Sequence, residues 1–228
     1  MKKVLFLFCL LFALLLGGCD NMGDKNKSIN TLALEYMEKK YAEPFEYAAP
    51  TGDSLTGTRA MLVRCQSLPE AVYVEIENYL KADERVFRDN YIAVKYKQET
   101  IDFLLNCAVS EFGGANVFYD VKGSALSDSL PSDAGFSEFL SGSGVPLAAT
   151  IEVKDDGGSY KELTEKMANR IAETGASFRI ILAVVAPDEF GIYNEDELGD
   201  KVVMRQTVDS ARLINVDGNL QITWSREE

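Results

Sequence analysis

The sequence contains no histidine. Its absence removes the side chain most used for proton transfer near neutral pH and the commonest metal ligand. Histidine-dependent serine and cysteine triads are excluded with it, as are HExxH zinc sites. Positive charge is scarce too: 23 Lys and Arg stand against 36 Asp and Glu, a formal net charge of −13. A surface that acidic repels phosphate backbones and anionic headgroups, so no nucleic acid is expected among the partners. Prolines number only six while 46% of residues are hydrophobic and 10% aromatic, which excludes a disordered chain and supplies a real core.

No apolar run is long enough for a comfortable membrane span. The uncharged stretch from Val4 to Cys19 falls short of the roughly twenty residues a helix needs to cross the hydrocarbon core. Lys2 and Lys3 precede it, small residues end it, and the next charge is Asp20, the layout of a secretory signal. An ordinary signal would carry an Ala-x-Ala type junction, which is absent. The junction Leu16-Gly17-Gly18-Cys19 instead resembles the lipobox of bacterial lipoproteins. That resemblance implies removal of residues 1–18 as a lipoprotein signal peptide and acylation of Cys19 by diacylglycerol and palmitate-type chains. The mature protein would then sit on the extracytoplasmic face of a membrane. Polar residues after Cys19 make 19–27 a lipidated cysteine with a flexible tether.

Of four cysteines, Cys9 leaves with the leader and Cys19 takes the lipid. Cys65 and Cys107 remain in an exported body where a disulfide is chemically permitted. Bridged, they would stabilise the fold by roughly 4 kcal/mol through the loop they close. Unbridged, they are small core hydrophobes, since free cysteine is among the most buried residue types.

Residues 28–228 are expected to form a single α+β domain, with the Ser-, Gly- and Asp-rich stretch 123–144 as a surface loop or a weak divide. Ile29, Leu32, Ala33, Tyr36 and Met37 recur at helical spacing, and Pro44 ends that helix. The run Leu34-Glu35-Tyr36-Met37-Glu38-Lys39-Lys40-Tyr41 leading into Phe45-Glu46-Tyr47 resembles the opening of small bacterial lipoproteins of unassigned activity. This implies an anchored surface protein and nothing about catalysis. Apolar runs at 60–64 and 71–76, joined by Ser67-Leu68-Pro69-Glu70, predict a hairpin. Ile101, Leu104, Leu105, Ala108, Val109 and Phe112 form the stripe of a helix over 90–112 that Gly113-Gly114 closes. Strands are expected at 117–119 and 146–153, then a helix after Ser159, whose spacing to Glu162 has the capping-box form. The apolar run to Val185 predicts a central strand over 178–185 buried on both faces. Asn194 with Glu197 caps a short helix, and Asp217-Gly218 turns a C-terminal hairpin. The sum is a mixed β-sheet with amphipathic helices packed on it.

Chemistry-bearing motifs are few. Gly52-Asp53-Ser54-Leu55-Thr56 misses the Gly-x-Ser-x-Gly elbow, and Glu195, Asp196, Glu197 and Asp200 lack the calcium-loop pattern. No cofactor and no metal are expected. Arg85 and Arg88 stand out on so acidic a chain and could clamp a carboxylate or phosphate; the alternative is Asp89 as a helix N-cap with surface ion pairs around it. The pattern points to a membrane-anchored, non-enzymatic binding or interaction module whose partner is an envelope protein or cell-wall component. The alternative is a hydrolase of cell-wall glycan working with two carboxylates, a reaction that needs no histidine.

Overall fold

The structure is a computed structural model that describes residues 27–53, 57–121, 130–142, 146–216 and 218–226. The expected leader, Cys19 and most of the expected tether lie outside the described residues, as do 122–129 and 143–145. Among the described residues, no helix is long and apolar enough to cross a membrane.

Ser28 starts the first helix, α1 (Ile29–Tyr41). Its hydroxyl accepts from the Thr31 N–H at 3.1 Å, and Ala42 ends the helix in the left-handed region at φ 55°. Four strands follow as an antiparallel meander: β1 (Glu46–Asp53), β2 (Arg59–Arg64), β3 (Val72–Glu77) and β4 (Val86–Asp89). In β3 the period of two is strict, with Val72, Val74 and Ile76 in the core and Tyr73, Glu75 and Glu77 facing outward. Pro50 is tolerated because β1 is an edge strand whose pairing shifts register on either side of it.

The expected helix over 90–112 is broken at Tyr96 into α2 (Tyr91–Lys95) and α3 (Lys97–Phe112). Tyr91, Ile92, Ala93 and Val94 are all buried, so α2 is a core plug with no solvent face along most of its length. α3 carries Leu104, Cys107 and Ala108 into the core and stops at Gly113, where a φ of 73° suits a residue without a Cβ.

The second sheet is mixed. β5 (Ala115–Tyr119), β6 (Leu147–Lys154), β7 (Phe178–Val185), β8 (Asp209–Val216) and β9 (Asn219–Trp224) lie side by side in that order. β6 and β7 run parallel because α5 (Tyr160–Ala172) carries the chain back between them; the other pairs are antiparallel, and β8 with β9 forms the C-terminal hairpin. With α4 (Phe136–Ser141) and α6 (Glu195–Val203), the described residues hold six α-helices. The fold is α+β.

One continuous core passes through both sheets, from Ala33 through Leu104 to Leu213 and Trp224. Leu130, Ala134, Phe139 and Leu140 enter it from within 123–144. Asn90 fastens the sheets together: its Oδ1 accepts from the Tyr73 N–H at 2.7 Å and its Nδ2 donates to the Val121 carbonyl at 3.1 Å.

Two local expectations are corrected. Ser159 does not cap α5, because its hydroxyl donates to Asp156 Oδ2 at 3.0 Å in the turn before the helix. β7 is buried on both faces only at one end. Its inward residues Phe178, Ile180, Leu182 and Val184 are covered throughout, whereas on the outer face Ala183 and Val185 lie against Leu198 of α6 while Arg179 and Ile181 are exposed. α6, held at its start by the Asn194 and Glu197 capping box, has nine residues and is too short to cover the rest.

Candidate functional site

Arg85 and Arg88 are each engaged within the fold. Arg85 Nε donates to the Tyr79 carbonyl at 3.0 Å. Arg88 pairs with Glu77 at 2.9 Å and lies directly opposite Glu75 across the ladder. An anion arriving there would meet two carboxylates as well as one guanidinium, so the ion-pair alternative describes this motif. Burial and repulsion from Glu77 push the Glu75 carboxyl above its ordinary range even with Arg88 beside it.

Asp89, on the opposite face of β4, is not the N-cap of α2, a position Asn90 holds, but a structural hub. Its side chain is 1% exposed and pairs with Lys40, 15% exposed, at 2.8 Å. Tyr36 donates to it at 2.9 Å, Tyr41 at 2.6 Å and the Tyr91 N–H at 3.0 Å. Three donors from α1 therefore converge on one carboxylate of the first sheet.

Beside this hub, Ser67 donates to Glu43 at 2.7 Å and Tyr91 donates to the same oxygen at 2.6 Å. A hydroxyl nucleophile here meets a carboxylate without histidine. Burial acts to raise the Glu43 carboxyl, but the bonds from Tyr91, Ser67 and Cys65 outweigh it and hold the group below its ordinary range. A base made that weak is poorly matched to activating a serine. Cys65, half-buried, and Cys107, buried, are both free thiols. Burial pushes the Cys107 thiol up, which keeps it protonated and unreactive.

The uncovered half of the second sheet forms the floor of a hollow of about 400 Å³. Ile181 lies directly opposite Arg212, and Arg212 opposite Thr223, so all three share the outer face. Val202 and Val203 of α6 make the wall, with Arg205 just beyond the helix end; Ser210, Trp224 and Ser225 close the groove. Arg179 lies on the same face, two residues before Ile181 and opposite Ile214. Among the described residues, no ion pair or side-chain hydrogen bond engages Arg179, Arg205 or Arg212.

The backbone explains how Arg205 comes to be there. α6 ends in a Schellman turn, in which the Arg205 N–H donates to the Val202 carbonyl at 3.1 Å and the Gln206 N–H to the Lys201 carbonyl at 2.8 Å. The turn puts Arg205 in the left-handed region at φ 55°, a position that glycine occupies without steric cost.

A second hollow of about 400 Å³ lies between the outer face of the first sheet and the start of α6. Tyr73, Asn90 and Lys97 line it together with the carboxylates of Glu70, Asp120, Glu195 and Asp196, and Lys97 is bonded to Glu70 at 2.6 Å. Glu75, the carboxyl held high, is outside that lining. Among the described residues, no three acidic or thiol side chains are grouped to hold a metal ion.

Compared with known proteins, the chain matches no protein family, no curated protein and no solved structure.

Proposed function

We propose that the mature chain is a binding module, not an enzyme, held on the extracytoplasmic face of a membrane by lipid on Cys19, with the open half of the second sheet as its binding face. The observation that carries this reading is the groove beside α6. It has the size of a small-ligand pocket, a mixed apolar and polar lining, and arginines that no ion pair within the described fold uses. A side chain that the fold does not employ, placed in a concavity, is free to serve a ligand. Support for binding over glycan hydrolysis comes from Glu75: the carboxyl group held above its ordinary range lies opposite Arg88 and outside the acidic hollow.

Photo-crosslinking in the native membrane tests the reading. A photoreactive residue at Ile181 in the full-length protein should capture an envelope or cell-wall component, while one at Leu62, on the outer face of the first sheet, should not. Capture from Leu62 alone, or sugar released from purified cell wall by the protein, would overturn it.

A further inference from the structure

We infer that the groove between α6 and the second sheet receives an amphiphilic anion, a carboxylate or phosphate monoester carried on a short apolar body. This rests on the reading of that face as the binding face and names what it takes. Arg205 and Arg212 line the space, and Arg179 stands on the adjoining rung of the same face. Guanidinium groups present planar forks that match the paired oxygens of carboxylate and phosphate. Ser210 and Thr223 add hydroxyl groups. Ile181, Val202 and Val203 supply apolar surface for the body of the ligand.

Charge placement selects this groove over the rest of the molecule. On a chain of net charge −13, the acidic hollow repels anions, and Arg88 is flanked by Glu75 and Glu77. The geometry of Arg205 is an independent pointer. Glycine would suit its left-handed backbone, yet the chain places there a side chain that lines the groove and bonds to nothing in the described fold. Strain retained at a position whose side chain faces a cavity is a mark of function.

The test is calorimetric titration of the full lipidated chain, held in nanodiscs of zwitterionic lipid with empty nanodiscs as the blank. The probes are hexyl phosphate, hexanoate, inorganic phosphate and 1-hexanol. At least one hexyl anion should bind at least tenfold more tightly than both inorganic phosphate and hexanol; preference for hexyl phosphate or for hexanoate then assigns the headgroup. Arg212→Ala and Arg205→Gly should each weaken that anion by roughly tenfold or more, the cost of one charge-assisted bond. Arg205→Gly should do so with an unfolding midpoint that is unchanged or raised, and Arg88→Ala should leave affinity intact. Equal binding of hexanol, inorganic phosphate as tight as the hexyl anions, or full affinity in Arg205→Gly would overturn the inference. Failure of every probe, with crosslinking from Ile181 preserved, would overturn the ligand class alone and leave the binding face standing.

Discussion

Tyr41 and Tyr91 stack with ring centroids 3.9 Å apart and 20° between their planes, and their hydroxyls reach different carboxylates, Asp89 for Tyr41 and Glu43 for Tyr91. The pair joins α1, the link to β1 and the start of α2 into one aromatic and polar cluster. Because α1 is the first element of the described residues, this cluster fixes that helix to the body of the fold.

Replacing Asp89 should be the most damaging change in that cluster. Asp89→Ala removes the acceptor of Tyr36, Lys40, Tyr41 and the Tyr91 N–H and deprives the enclosed Lys40 charge of this carboxylate. Breaking a buried ion pair in this way costs about 3–5 kcal/mol. Asp89→Asn keeps an acceptor and should cost less. Urea unfolding with an unchanged slope and a lowered midpoint reads the loss. A loss below about 1 kcal/mol would mean that the hub does not hold α1.

Stability should fall at both ends of the pH range. The folded Glu43 carboxyl sits below its usual 4.5, so the unfolded chain takes up that proton first and the contribution is lost as pH drops through 4.5 toward the folded value. Burial and the bond to Glu43 push the Tyr91 hydroxyl from 10.0 up to about 12. Its contribution is complete below pH 10.0 and disappears as pH rises from there toward 12, because the unfolded tyrosine ionises first. Burial and Asp89 move Tyr41 in the same direction. Tyr91→Phe deletes one term from each limb and should flatten both. An unaltered pH profile in that variant would show that neither limb depends on the Tyr91 hydroxyl.

Glu152 is fully buried on β6 and fastens the segment before α6 to the sheet. Its Oε2 accepts from Asn116 Nδ2 at 2.6 Å and from the Gly191 N–H at 3.1 Å, while Oε1 has no hydrogen-bond partner among the described residues. Glu152→Ala orphans both donors at roughly 1–3 kcal/mol for each buried group left unsatisfied. The effect should be local. Amide exchange at Gly191 and along α6 should quicken while β2 and β3 stay as protected as before. Uniform acceleration across both sheets would place Glu152 in the global core instead.

What was legible in the sequence is what short range decides. Gly113, and Asn194 with Glu197, act within one helical turn, and each marks a helix end as its chemistry requires. The β2–β3 and β8–β9 hairpins follow from alternation around local turns. The partners of Asp89 were not legible, because Tyr36, Lys40 and Tyr41 stand 48 to 53 residues away and meet it only when α1 folds over β4. The groove was hidden for a related reason. Arg179 reads as a flaw at the start of an apolar run, and only the length of α6 decides that its face stays open. Arg179 and Arg212 did leave a signal, each the one basic residue of its strand with its neighbours i ± 1 pointing the other way. The setting of Arg88 was not legible either, because charge density in sequence does not show that the neighbouring strand brings Glu75 and Glu77 beside it.

The most direct measurement is arginine footprinting with phenylglyoxal, read by mass spectrometry, on the purified full-length protein and on the same protein in its native membrane. Arg179, Arg205 and Arg212 should react faster than Arg85 and Arg88 in the purified protein, and the first three alone should be shielded in the membrane. Equal reactivity of all five, or shielding in the membrane confined to Arg85 and Arg88, would contradict a binding face on the second sheet.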